Sequence, residues 1–131
     1  MRPSALHHLA LVVADLDRSE AFWVGLLGLP VLRRHHTSEG LHRATWVDIG
    51  AGAFVALERA AAAGPCCADE APGAHCVALA IEPSMRDAWR QRLASSGYPV
   101  ERESTFTIYV RDPDGVLVGL SHHPEPSPDR P

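Results

Sequence analysis

The sequence lacks the features of a membrane, secreted or nucleic-acid-binding protein. No apolar run approaches the length of a membrane span, and the N-terminus has no signal-peptide core. The 12 Lys and Arg residues are scattered and are outnumbered by 16 Asp and Glu, so the net charge of −4 gives no electrostatic footprint for nucleic acid. We therefore predict a cytoplasmic protein with neither a membrane nor a nucleic-acid partner.

Cysteine is also scarce, with only three residues at positions 66, 67 and 76. An odd number with two members adjacent is not a disulfide framework. No CxxC pair occurs, so nothing supports a structural zinc ribbon. We expect Cys66 and Cys67 to be exposed thiols in a loop.

What is present is a repeated order of elements: a strand, a helix and three further strands. The chain has 131 residues, of which 46% are apolar and 21% charged, the balance of one soluble globular domain. The pattern predicts two βαβββ modules at 1–59 and 74–123, joined by a connector at 60–73 and followed by a disordered, proline-rich tail at 124–131. The predicted fold is α+β, a single domain whose modules form a cup-shaped mixed sheet with helices on its outer face.

The helices are predicted from their caps and apolar stripes. A capping box of Asp17 and Glu20 marks the first start, and Gly28 marks its end. Trp23 and Trp89 are expected in the core, the latter in a stripe with Met85 and Leu93. Strands are predicted at 6–13, 31–37, 41–50, 53–59, 76–82, 100–102, 106–111 and 116–121.

Side-chain alternation predicts which residues face the concave side of each sheet. The bulkier apolar residues of the first strand should pack under the helix, so His8 faces the other way. The same argument makes Cys76, rather than His75, the counterpart of His8, and it turns Glu58 inward. The repeat pairs Gly119 with Glu58. Small residues on this face leave room for a ligand: Ala10, Ala56, Ala78, Ala80 and Gly119.

Four further residues are candidate ligand contacts on that face. Trp46 and Tyr109 suit stacking on a planar ligand, and Arg111 suits an anion. His42 joins them if its strand buries the alternate side chains. Two simpler roles stay open: packing for Tyr109, and an ion pair of Arg111 with an aspartate of the 112–115 turn.

Two segments, HHLALVVADLDRSEAFWVGLLGLPV and FTIYVRDPDGVLVGL, resemble the vicinal oxygen chelate superfamily. Its members include glyoxalase I, extradiol dioxygenases, fosfomycin-resistance proteins and bleomycin-binding proteins. The resemblance covers nearly the whole chain up to His123. It implies paired βαβββ modules, a small-molecule ligand and a homodimer with its sites at the module interface.

The resemblance also implies a metal-binding pattern that this chain keeps only in part. His8 and Glu58 match the first two ligand positions, while Cys76 stands at the usual third histidine and Gly119 at the usual fourth carboxylate. One divalent ion, Zn, Fe, Mn or Ni, suits His8, Glu58 and Cys76, and a thiolate favours zinc. Alternatively no metal binds, His8 and Glu58 hydrogen-bond each other, and Cys76 is a small buried apolar residue. A bulge that reverses the strand's facing would substitute His75 for Cys76.

We therefore predict a small-molecule-binding protein with a degenerate metal site and its ligand in the concave pocket between the modules. The alternative is a divalent-metal-dependent lyase, isomerase or dioxygenase acting on vicinal oxygens, and no catalytic residue is assigned. A third hypothesis is an accessory dimer without pocket chemistry. Cys76 as a nucleophile, with His8 as its base, has no further support in the sequence.

Overall fold

The chain forms two compact units, each built on one four-stranded mixed sheet. The computed structural model describes residues 1–65 and 69–123. Unit 1 comprises Met1–Ala68 with Pro113–Gly115, and unit 2 comprises Asp69–Asp112 with Val116–Pro131. The expectations for Cys66, Cys67 and the tail at 124–131 lie outside the described residues.

Unit 1 has the predicted order of strand, helix and three strands. Its sheet runs β1-β4-β3-β2, with β1 parallel to β4 and the other pairs antiparallel. The helix α1 continues directly into a π-helical segment, and Gly28 ends it with a φ of 74°. The elements are β1 (His8–Val13), α1 (Leu16–Glu20), the π-helical segment (Ala21–Leu26), β2 (Val31–His36), β3 (His42–Gly50) and β4 (Ala53–Arg59).

Unit 2 repeats this topology with shorter strands. Its sheet runs β5-β8-β7-β6, with β5 parallel to β8 and the other pairs antiparallel. The elements are β5 (Val77–Ala80), a 3₁₀ turn (Pro83–Met85), α2 (Arg86–Ser95), β6 (Arg102–Glu103), β7 (Thr107–Arg111) and β8 (Leu117–Ser121). The α+β class and the two-module repeat are therefore confirmed. Among the described residues, no helix is long and apolar enough to cross a membrane.

The start of α1 differs from the prediction. Asp15, not Asp17, is the N-cap, and its carboxylate accepts a hydrogen bond from the Arg18 backbone N–H at 3.1 Å. A cap accepts from the N–H groups two or three residues ahead of it. Because the helix begins two residues earlier than expected, Asp17 falls inside its first turn.

The core of unit 1 follows the predicted stripe, whereas that of unit 2 follows it only in part. Phe22 and Trp23 are fully buried, as expected. Leu93 is also fully buried, but Met85 is 48% exposed and Trp89 is half-buried. The predicted stripe fails at Met85 because that residue belongs to the 3₁₀ turn, where the helical spacing of 3.6 residues has not yet begun.

A tight hairpin joins β3 to β4. Gly50, Ala51 and Gly52 all have positive φ angles, of 88°, 52° and 79°. The Asp48 carboxylate accepts the Gly50 N–H at 2.7 Å across a bulge. This turn sets the register, which places Asp48 opposite Phe54.

Replacing the N-cap tests where α1 begins. Asp15→Ala should lower the free energy of unfolding by about 1 kcal/mol, because the Arg18 N–H loses its acceptor. Asp17→Ala should have a smaller effect, limited to the attraction between the helix dipole and an exposed carboxylate. Chemical denaturation of both variants measures the difference. If Asp17→Ala lowered the free energy of unfolding more than Asp15→Ala does, the helix would begin at the residue predicted from the sequence.

Candidate ligand-binding face

Four aromatic rings, one from each strand, cross one face of the sheet in unit 1. His35 of β2 lies 4.5 Å from Trp46 of β3, Trp46 lies 4.5 Å from Phe54 of β4, and Phe54 lies 5.0 Å from His8 of β1, measured between ring centroids. We call these four residues the aromatic row. The His7 ring packs edge-on against His8 and Phe54 at one end.

The strand register produces the row. His8 lies directly opposite Phe54, whereas Trp46 lies opposite Ala56, so the row crosses the sheet obliquely. The Trp46 ring has Phe54 against it from β4 and His35 against it from β2. Both neighbouring strands therefore already place a ring against Trp46, and its stacking on a planar ligand stays a prediction. Side chains stand roughly perpendicular to a sheet, so the row presents ring edges outward.

His35 is the member of the row that alternation along the sequence did not single out. Its Nε2 atom is buried without a hydrogen-bond partner and is the only such side-chain nitrogen or oxygen among the described residues. His35 pairs with Ala44 of β3, which places it on the same sheet face as Trp46. Alternation along the sequence does not indicate this facing, because a register shift between His35 and His36 interrupts the alternation in β2.

The candidate metal ligands of unit 1 lie on one face but are far apart. Glu58 lies opposite Val12, four residues along β1 from His8. At about 3.3 Å per residue, their backbones are roughly 13 Å apart along the strands, too far for one ion or for a direct hydrogen bond. Within the described part of either unit, no three His, Cys, Asp or Glu side chains converge on a metal position. The residues of unit 1 therefore do not fit a shared His8–Glu58 metal site.

The register also corrects the predicted equivalence of Gly119 and Glu58. In unit 1, Ala10 lies two residues after His8 and pairs with Ala56. In unit 2, Ala78 lies two residues after Cys76 and pairs with Gly119. Gly119 therefore corresponds to Ala56. Two residues further along, Glu58 corresponds to Ser121, whose hydroxyl accepts a hydrogen bond from the Thr107 hydroxyl at 2.8 Å.

Cys76 lies just before β5 and is half-buried. Burial raises the pKa of its thiol, and a weaker opposing effect comes from a hydrogen bond to the Gly119 backbone. The thiolate that a metal or a nucleophilic role needs is therefore disfavoured. This environment suits the interpretation of Cys76 as a small apolar residue.

The face around Gly119 is closely packed. A Cβ at this position would lie 3.0 Å from Thr107 Cγ2, 3.4 Å from the Tyr109 ring and 3.5 Å from Ala78 Cβ. The Arg102 guanidinium lies 4.6 Å from the centre of the Tyr109 ring. Tyr109 therefore already has a cation over its ring and offers a planar ligand less surface than expected.

Arg111 is committed to two carboxylates of unit 2. It donates to Glu101 at 2.7 and 3.1 Å and to Asp69 at 2.8 and 2.6 Å. These bonds raise the pKa of Arg111 and lower those of both carboxyl groups. Arg111 therefore forms an ion pair, as the simpler alternative predicted. Its partners are Glu101 and Asp69 rather than an aspartate of the 112–115 turn. An anionic ligand would have to displace them.

The predicted facing of His42 is wrong. Its Nε2 lies 2.8 Å from the buried Thr45 hydroxyl, which donates to Glu20 of α1 at 2.5 Å. Arg34 donates two hydrogen bonds of 2.9 Å to the same carboxylate. Thr45 pairs with Leu57 in the core, so this cluster lies on the helix side of the sheet. His42 begins β3 beside the bulge in β2, where alternation no longer predicts the facing.

Comparisons with known proteins identify the family. A family model of the Glyoxalase/Bleomycin resistance protein/Dioxygenase superfamily matches residues 5–120, so the chain belongs to this superfamily, that of the vicinal oxygen chelate proteins. No curated protein sequence matches the chain.

Solved structures show the same fold. A glyoxalase/dioxygenase from Nostoc punctiforme is 21% identical over 93% of this chain and 92% of its own, with a TM-score of 0.77. A single-substitution mutant of the fosfomycin resistance protein FosX from Listeria monocytogenes, in complex with Mn(II) and a dihydroxypropylphosphonic acid, is 20% identical over 95% of this chain and 96% of its own, with a TM-score of 0.74. The trypanothione-dependent glyoxalase I of Leishmania major is 25% identical over 91% and 86%, with a TM-score of 0.73.

The helix-side cluster predicts a pH-dependent contribution to stability. Hydrogen bonds from Arg34 hold the pKa of Glu20 below its ordinary value of 4.5. A lowered carboxyl pKa stabilises the fold above the unfolded-state pKa, and this stabilisation is lost as the pH falls through the folded-state pKa. Glu20→Gln should therefore cost about 1–3 kcal/mol at neutral pH and less near pH 3. Urea denaturation at both pH values measures this, with Glu39→Gln in the exposed β2–β3 turn as the control. An equal loss at both pH values would contradict the ionic contribution.

The packing at Gly119 predicts a coupled pair of substitutions. Gly119→Ala should destabilise unit 2 by about 1–3 kcal/mol, because its methyl group meets Thr107 Cγ2. Thr107→Ser removes that carbon and keeps the hydroxyl, so it should relieve most of the loss in the double variant. A double-mutant cycle from chemical denaturation measures the coupling. If the two substitutions changed the free energy of unfolding additively, a contact other than the one with Thr107 would be responsible for the loss in Gly119→Ala.

Proposed function

We propose that this chain binds a small planar molecule on the aromatic row of unit 1 and needs no metal ion to do so. The observation that carries the proposal is the row itself: four rings in contact across four strands, with His8 exposed and Trp46 half-buried. Packing within the sheet does not by itself require two histidine rings in an aromatic array on one face. A surface of adjoining rings does serve to bind an apolar ligand.

The arrangement of the rings indicates a planar aromatic ligand. The outward edges of stacked rings carry partial positive charge, and the face of an aromatic ligand carries partial negative charge. A ligand lying flat over the row therefore makes edge-to-face contacts with several rings at once. Ala10, exposed beside the row on β1, adds no side chain that would obstruct it.

The alternative of a divalent-metal enzyme has less support from the individual units. FosX of Listeria monocytogenes is in complex with Mn(II), so a metal-dependent reaction is a natural hypothesis for a related fold. In this chain His8 stacks on Phe54, and Glu58 lies about four residues away along the paired strand. That separation leaves His8 and Glu58 of one unit without a common position for a single ion.

A probe pair tests binding at the row. Naphthoate should bind untagged protein and raise its melting temperature, whereas decahydronaphthoate, its saturated and non-planar counterpart, should bind at least tenfold more weakly, since it makes no edge-to-face contacts. Trp46→Leu should weaken naphthoate binding about tenfold. Isothermal calorimetry measures both affinities.

Trp89→Leu, on α2 of unit 2, is the matched control and should leave naphthoate binding unchanged. Equal affinity of both probes, or an unchanged affinity in Trp46→Leu, would contradict the proposed function. Elemental analysis of the same untagged protein and of His8→Ala tests the alternative. Stoichiometric metal that is lost in His8→Ala would favour the metal-dependent enzyme.

A further inference from the structure

Two charged side chains, those of Arg33 and Glu58, lie on the sheet face that carries the aromatic row. Arg33 of β2 lies opposite Trp46 of β3, and Glu58 of β4 lies opposite Ala44 of β3. Trp46 and Ala44 are two residues apart on one strand, so all four side chains share a face. Within residues 1–65 and 69–123, no group forms a hydrogen bond or an ion pair with the side chain of Arg33 or Glu58. Both charges are therefore available to a molecule that lies on this face.

Solvent reaches both charged groups. Arg33 is exposed on β2, an edge strand of its sheet, and Glu58 is half-buried. Among the described residues, the only buried side-chain nitrogen or oxygen without a partner is Nε2 of His35, so the oxygens of Glu58 lie at the surface. A ligand on the row can therefore approach both charges directly.

Two neighbouring charges of unit 1 have structural roles instead. Arg34 follows Arg33 in the sequence, but it points to the helix side and donates two hydrogen bonds of 2.9 Å to Glu20. Asp48 shares the face of the row, but its carboxylate accepts a backbone N–H of the β3–β4 hairpin at 2.7 Å. Arg33 and Glu58 make no such contact within the described part of the chain, which leaves them free to bind a ligand.

The strand register places the two charges on opposite sides of Trp46. Arg33 lies opposite Trp46 on one side, Ala56 lies opposite it on the other, and Glu58 follows Ala56 by two residues. At about 4.8 Å between strands and about 3.3 Å per residue, the backbones of Arg33 and Glu58 are roughly 12 Å apart. A ring system that lies over Trp46 can therefore direct one charged group toward each of them.

We propose that the ligand of the aromatic row is a planar aromatic zwitterion, whose anionic group binds Arg33 and whose cationic group binds Glu58. This inference rests on the proposed function and narrows its ligand class. A guanidinium group matches a carboxylate with two parallel charge-assisted hydrogen bonds. An ammonium group carries only donors and complements the acceptor oxygens of Glu58. Because the two charges have opposite signs, they also fix the direction in which the ligand lies across the strands.

Three naphthalene probes test the charge preference. Naphthoate carries only the anionic group, naphthylmethylammonium carries only the cationic group, and aminomethylnaphthoate carries both at opposite ends of the ring system. Untagged wild-type protein should bind aminomethylnaphthoate about fivefold to tenfold more tightly than either singly charged probe, because each added group gains a charge-assisted hydrogen bond. Isothermal calorimetry measures the three affinities.

Two substitutions assign each gain to its residue. In Glu58→Gln, aminomethylnaphthoate should bind less than about twofold more tightly than naphthoate, because the ammonium group has lost its carboxylate. In Arg33→Gln, it should bind less than about twofold more tightly than naphthylmethylammonium, because the carboxylate has lost its guanidinium. Asp17→Asn and Arg18→Gln on α1 remove the same charges on the helix side and are the matched controls, which should keep both gains.

The outcomes separate this inference from the proposed function. If naphthoate binds in a Trp46-dependent way but aminomethylnaphthoate binds no more tightly, the inference is overturned and the proposed function stands. The same holds if either gain survives in its matched variant, or if the control variants lose the gains equally, since net charge would then explain the preference. If none of the three probes binds wild-type protein, both are overturned.

Discussion

The parallel pairing of β1 with β4 is the constraint on which the candidate site depends. It places His8 opposite Phe54 and Ala10 opposite Ala56. Side chains alternate along a strand, so a slip of one residue would send His8 to the helix side and bring Leu9 to the open face. The fully buried Val13, Val55 and Leu57 resist such a slip, because it would expose them. The hydrophobic core of unit 1 thus positions the aromatic row without contributing an atom to it.

The two units use one topology for different chemistry. In unit 1 the open face carries rings that contact one another across all four strands. In unit 2 the corresponding region holds Tyr109 under Arg102, and Arg111 bound to two carboxylates. Charge there is balanced within the unit, so its cations are less available to a ligand. The two units therefore keep the same topology while the side chains on the corresponding faces differ.

Local patterns in the sequence were sufficient for most elements and most of the core, although the strand predicted at 100–102 is observed at Arg102–Glu103. The strand at 53–59 and the burial of Trp23 follow from alternation and helical spacing, which depend only on neighbouring residues. The cap of α1 was misplaced by two residues, since Asp15 and Asp17 are chemically equivalent choices. The exposure of Met85 was missed because a 3₁₀ turn precedes α2 and shifts the start of the stripe.

The site was harder to predict because it depends on pairing between strands. Alternation placed His8, Trp46 and Glu58 on one face, but it does not say which residue of one strand meets which residue of the next. The approximately 13 Å between His8 and Glu58 along the strands, and the equivalence of Gly119 with Ala56, follow only from the register. His42 was misassigned for a related reason: a bulge in the neighbouring strand interrupts the alternation on which its facing was inferred.

The short turn at Gly50–Gly52 has a consequence for how this protein can change over evolutionary time. Three consecutive residues with positive φ angles join β3 to β4, and the hairpin contains no additional loop residues. The loss or gain of a single codon there would shift β3 against β4 and carry Trp46 away from Phe54. A change of length in the exposed loop between β2 and β3 would disturb the array of rings less, because β2 lies at the edge of the sheet. Change on this face is thus confined to substitutions at fixed positions rather than to changes of chain length.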